Sequence, residues 1–139
     1  MAVGLRVRSN AWGVGSQDFL HAFFSTVAHR LEPEGWGSRF PALQHELYRG
    51  GASAEQVPAL RAELAEIHEQ LDQFPPSEVV WDVEDLSARP PWGDDISPEI
   101  TDLSNYFVTS DGRDLFEVFD EALSYAERAE VGVTIEKGL

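Results

Sequence analysis

Val3-Gly4-Leu5-Arg6-Val7-Arg8 alternates apolar residues with small or charged ones, the pattern of a half-buried strand, and Ser9-Asn10 signals a turn after it. Trp12–Val14 suits the partner strand of a short hairpin, weakened by Gly13 and Gly15. The period changes at Ser16. Leu20, Phe23, Phe24, Val27 and Leu31 recur at helical spacing, Ser16 caps the first turn, and Pro33 and Gly35 stop the helix. Glu34–Phe40 is a glycine-flanked aromatic loop around Trp36. Pro41 then suits the start of a short helix over 41–49 with Leu43, Leu47 and Tyr48 turned inward, closed by Gly50-Gly51. Ser53-Ala54-Glu55-Gln56 has the form of a capping box. Val57, Leu60, Leu64, Ile67 and Leu71 follow it and predict a regular helix over 53–72, with Glu63, Glu66 and Glu69 on its polar face.

The second half is less regular. Val79, Val80, Trp81 and Val83 predict a strand over 78–83. A long loop around Pro90-Pro91-Trp92-Gly93-Asp94-Asp95 leads to a second apolar run, Tyr106-Phe107-Val108. Ser110-Asp111-Gly112 opens a last helix buried through Leu115, Val118, Phe119, Ala122, Leu123 and Ala126, and 131–135 alternates as a final strand. The order predicts an α+β fold: a small, mostly antiparallel sheet with three to four helices packed against it, in one domain spanning 1–139.

Charge adds an asymmetry. Ten basic residues face 25 acidic ones, a net −15. Residues 1–31 carry three arginines and one aspartate, a net +2, whereas 77–102 carries eight carboxylates against Arg89, a net −7. Such a field disfavours nucleic acid and anionic membrane, and it suits either a basic protein partner or acid that simply keeps the chain soluble. The chain holds no cysteine, hence no disulfide or thiolate metal site. It has no apolar run long enough to span a bilayer and no signal-peptide h-region at its start, so a cytoplasmic location is expected.

Phe19-Leu20-His21-Ala22-Phe23-Phe24-Ser25-Thr26, Gly35-Trp36-Gly37-Ser38-Arg39-Phe40-Pro41, Glu46-Leu47-Tyr48 and Val80-Trp81-Asp82 form a set of short motifs. The more specific ones are Pro90-Pro91-Trp92-Gly93-Asp94-Asp95-Ile96-Ser97 and Leu103-Ser104-Asn105-Tyr106-Phe107-Val108-Thr109-Ser110-Asp111-Gly112. Together they resemble the immunity protein 70 family of bacterial polymorphic-toxin systems, over nearly the whole chain. The resemblance implies a cytoplasmic, non-enzymatic protein that binds and neutralises a cognate toxin domain. It supplies no catalytic residue, no cofactor and no metal site.

A loop as long as the one after Val83 is unusual in a compact chain and tends to be functional. Asp82, Glu84, Asp85, Trp92, Asp94 and Asp95 are therefore the candidate toxin-binding residues, facing a basic surface. Trp92 has two readings. It pins the loop, which the tight turn allowed by Gly93 favours, or it stands out as an interface anchor. Asp82, Glu84, Asp94 and Asp95 could also pair as acid and base in a small hydrolase. No nucleophile motif, HExxH, P-loop or GxGxxG accompanies them. An acidic adaptor with an unrelated basic partner is the other alternative. His21, His29, His45 and His68 are read as ordinary helix residues.

Overall fold

The computed structural model describes residues 2–138. β1 (Ala2–Val7) and β2 (Asn10–Ser16) form the expected hairpin, and Arg8 at its turn takes the left-handed conformation at φ 57°. β4 (Val133–Lys137) pairs antiparallel with β1, two residues later than the sequence predicts. A strand of two residues, β3 (Gly51–Ala52), pairs with the other edge of β4 and gives the order β2-β1-β4-β3. Gly132 makes this last pairing feasible, because a Cβ there would lie 2.4 Å from the Ala52 carbonyl oxygen.

Of three long helices, the first and third pack against this sheet, and the second packs on both of them and on the turn after residue 41. α1 (Gln17–Leu31) starts where the period changes, and Ser16 Oγ accepts the Phe19 N–H at 3.0 Å. Its stripe is buried as predicted, and Phe23 is the hub of the core. The rings of Phe24, Phe107, Phe116 and Phe119 lie 5.3 to 5.8 Å from that of Phe23. α3 (Leu115–Ala129) is capped by Asp114, which accepts the Phe116 N–H at 2.9 Å, and buries the six residues its periodicity names.

α2 (Val57–Leu71) also buries its predicted face but begins four residues late. A start at 53 would place Pro58 inside the helix, where it lacks an N–H and collides with the preceding turn. Ser53 and Gln56 form a turn instead, with the Gln56 side chain taking the Ser53 N–H at 2.8 Å. The short helix expected over 41–49 is a π-helical turn, Ala42–Leu47. Leu43 and Leu47 are buried, but Tyr48 is not turned fully inward and is 38% exposed. Its N–H bonds the carbonyl five residues back, at Leu43, which widens the turn and rotates Tyr48 off the apolar face. Two polar-face residues of α2 work here: Glu63 accepts the Ala42 and Leu43 N–H groups at 3.1 and 2.9 Å, and Glu66 pairs with Arg39 at 2.9 Å.

Residues 78–83 do not form a strand. Pro76–Glu78 is a 3₁₀ turn, and the extended chain after it crosses α1, which offers no ladder. Its buried backbone is satisfied by a side chain. Thr26 Oγ1 accepts the Val80 N–H at 3.0 Å and donates to the Val80 carbonyl at 3.1 Å. The Arg30 side chain holds the Glu78 carbonyl at 2.9 Å. From there to Asp114 the chain is a series of turns tied down at intervals. Leu103 N–H bonds the Phe74 carbonyl, Ser110 N–H the Val14 carbonyl freed by a β-bulge in β2, and Leu115 N–H the Phe107 carbonyl, at 2.9 to 3.0 Å. The run Tyr106–Val108 contributes one isolated bridge, Val108 with Asp114, rather than a strand.

Thr26→Val keeps the shape of the side chain and leaves a buried N–H and a buried carbonyl without partners. It should cost about 1–3 kcal/mol in chemical denaturation. A loss below about 0.5 kcal/mol would show that water takes over both bonds.

Candidate functional site

The acidic segment folds as two pairs of turns, 82–85 with 85–88 and 90–93 with 92–95. In the first, the Asp85 N–H bonds the Asp82 carbonyl at 3.1 Å while Asp82 Oδ1 accepts the Glu84 N–H at 2.9 Å. Asp85 repeats the motif one step later, accepting from the Ser87 N–H and hydroxyl at 3.1 and 2.6 Å. In the second pair the Gly93 N–H bonds the Pro90 carbonyl and the Asp95 N–H the Trp92 carbonyl, each at 2.9 Å. Gly93 sits at φ 56°, where a side chain would be strained. Glu84, Asp85, Asp94 and Asp95 are exposed, and among the described residues none of them pairs with a cation of the chain.

Trp92 joins the two pairs of turns. Its ring meets Trp81 edge to face at 5.4 Å, and its indole N–H donates to the Tyr106 hydroxyl at 2.9 Å. The ring is 38% exposed, so it pins the loop and also shows one side to solvent. The most exposed large apolar side chain is Leu86, at 59%, in the first pair of turns among the acids. Burial pushes the Tyr106 phenol above its ordinary range. The Trp92 hydrogen bond pulls it back in part, and the charge of Asp94 pushes it further up.

Asp82 stands apart from its neighbours. It is half-buried, and its Oδ1 lies 3.2 Å from His21 Nε2 on α1. His21 Nδ1 lies 3.1 Å from the Tyr48 hydroxyl, so a proton on Nε2 satisfies both contacts. Tyr48 in turn packs edge-on against Phe24 and Trp36, at 4.9 and 4.8 Å. The Glu84 N–H, then His21, hold the Asp82 carboxyl below its ordinary range. A carboxylate kept ionised is a poor general acid, and burial, then Glu84 and Asp82, push the Tyr48 phenol up, which makes it a poor nucleophile at neutral pH. The chain Asp82–His21–Tyr48 thus acts as a clasp between α1, the π-helical turn and the acidic segment. The other histidines are separate: His29 is exposed, His45 lies against Gly37, and His68 stacks on Phe116 at 4.6 Å. Among the described residues no three His, Asp or Glu side chains are grouped to hold a metal ion.

A family model described as Immunity protein 70 matches residues 5–135. The chain belongs to that family. The match spans α1 with His21, the acidic segment with its clasp, and α3, so the described site lies wholly inside the family's extent. No curated protein and no solved structure matches the chain. No helix among the described residues is long and apolar enough to cross a membrane.

For this immunity protein, the sequence put Asp82 in the strand expected over 78–83 and the other five candidates on the loop after it; the structure brings Asp82, Glu84 and Asp85 onto one pair of turns and Trp92, Asp94 and Asp95 onto the next. It missed His21, Tyr48, Leu86 and Tyr106. The LSNYFVTSDG run held the signal for Tyr106, since an apolar stretch there needed something to pack against. Nothing local marks His21 and Tyr48, which lie 61 and 27 positions from their partners.

Two measurements check this geometry. Trp92→Ala should cost about 1–3 kcal/mol in chemical denaturation, from one lost hydrogen bond and one lost aromatic pair; a loss below about 0.5 kcal/mol would mean the ring is free. The folded Tyr106 phenol is raised above the unfolded value of 10.0. Its contribution to stability is therefore present below that pH and is lost as pH rises through the folded value. Ultraviolet titration of wild type against Tyr106→Phe should show Tyr106 ionising above the free-tyrosine pH of about 10, and Asp94→Asn should lower that point. Ionisation of Tyr106 at or below pH 10 would contradict its burial.

Proposed function

We propose that this member of the immunity protein 70 family neutralises a cognate bacterial toxin domain in the cytoplasm by binding it directly through the acidic segment, without chemistry of its own. The observation that carries this reading is the set of exposed, unpaired carboxylates Glu84, Asp85, Asp94 and Asp95 on turns anchored to α1 and the core. Acid that only keeps a protein soluble needs no such anchoring. A pre-shaped acidic face loses little entropy on binding and complements a basic cleft on the toxin. Trp92 holds the face in shape, and its exposed side, with Leu86, adds an apolar contact at the centre. Occupying a basic cleft would block a toxin whose substrate is anionic.

Surface plasmon resonance against the inactivated cognate toxin domain tests the reading. Asp94→Asn combined with Asp95→Asn should slow association several-fold at low salt with little change in melting temperature. The gap should close as salt rises, because exposed charges are screened beyond about 8 Å at physiological ionic strength. Unchanged rates at low salt would remove these two carboxylates from the interface. No binding of wild type at micromolar concentrations would overturn the function itself.

A further inference from the structure

The chain's cations are unevenly engaged. Among the described residues, Arg6, Arg30, Arg39, Arg61 and Arg113 each reach a carboxylate of the fold. Arg8, Arg49, Arg89, Arg128 and Lys137 reach none there, and of these Arg49 and Lys137, the chain's one lysine, line the same small cleft of about 270 Å³. Buried Val3, Leu20 and Phe24 give that cleft an apolar side, and exposed Gln17 adds an amide beside the two cations. Two free cations over an apolar wall, in a chain of net −15, is a local reversal of the molecule's field.

The cleft shares a wall with the acidic segment. His21 and Tyr48 both line it, and His21 is the residue that holds Asp82 at 3.2 Å. Glu84 and Asp82 are near enough to raise the Tyr48 phenol, after burial. A positive notch and a negative ridge therefore lie side by side on one face.

We propose that this cleft receives an aspartate or glutamate side chain of the toxin domain, next to the ridge that meets the toxin's basic surface. The proposal rests on the binding function above. A carboxylate matches the guanidinium of Arg49 and the ammonium of Lys137, and the methylenes of the same side chain match Val3, Leu20 and Phe24. The long-range field of the chain repels a free small anion, whereas an acidic side chain arrives on a domain that the ridge attracts. Opposed charges of both signs on one face fix the register of a complex and reject toxins lacking the matching acid.

The test uses the full chain and the same toxin domain. Both cations are exposed at the cleft, and Arg49→Glu with Lys137→Glu, which sets two carboxylates against the incoming one, should weaken binding at least ~30-fold. Changing the matching acidic residue of the toxin to lysine should restore most of that loss. If the double variant melts lower than wild type, the single variants Arg49→Gln and Lys137→Gln carry the comparison. Binding within about threefold of wild type, with folding intact, would overturn the cleft while leaving the acidic segment in place, since a factor of three is well under 1 kcal/mol. Failure of wild type to bind at all would overturn both. Titration of the free chain with N-acetylglutamate should give a Kd no tighter than about 1 mM, a small-ligand affinity. Much tighter binding would mean that the occupant is a free carboxylate metabolite and would overturn the toxin side chain.

Discussion

The Thr26 hydroxyl is the constraint on which the second half of the chain depends. Between Val79 and Asp114 the backbone joins no ladder, so its buried N–H and carbonyl groups need other partners. Thr26 meets both groups of Val80 with one oxygen, and that fixes where the acidic turns begin. Arg30 at Glu78, the freed Val14 carbonyl at Ser110 and the Phe74 carbonyl at Leu103 complete the set. Phe107 then carries the segment into the core against Phe23. Glu84, Asp85, Asp94 and Asp95 stay exposed, while Asp82 turns in to His21.

What the pattern of residues made legible was whatever local energy decides. The faces of α1, α2 and α3 followed from spacing, because burying one stripe leaves no alternative orientation. β1 and β4 followed from alternation. The strand expected over 78–83 failed although its residues favour β structure, because such propensity has meaning only beside another strand and this stretch lies on a helix. β3 was hidden for the opposite reason: Gly50-Gly51 looks like a helix stop, and only the approach of Gly132 makes it a pairing. Tyr48 illustrates a smaller miss, where one extra residue in a π turn moved a side chain from core to cleft.

The candidate site was legible as a location but not as a geometry. Eight carboxylates in one stretch mark a face whether or not they are ordered. Their ordering rests on Trp92 with Trp81 and Tyr106, and on Asp82 with His21 and Tyr48, contacts between distant positions. One of the six candidates, Asp82, is half-buried and pairs with His21 on α1. Its carboxylate is also the link between ridge and cleft, so the two charge signs are held in a fixed relation. In this account a family member recognises its partner by an arrangement of charge, built on a scaffold that the helices hold still.

Hydrogen exchange of the free chain and of its complex with the cognate toxin domain tests that account most directly. The amides of Val80, Leu103 and Leu115 should already exchange slowly in the free chain, and complex formation should add protection across 82–95. Slow exchange gained only elsewhere, for instance along the exposed side of α2, with 82–95 unchanged, would contradict it.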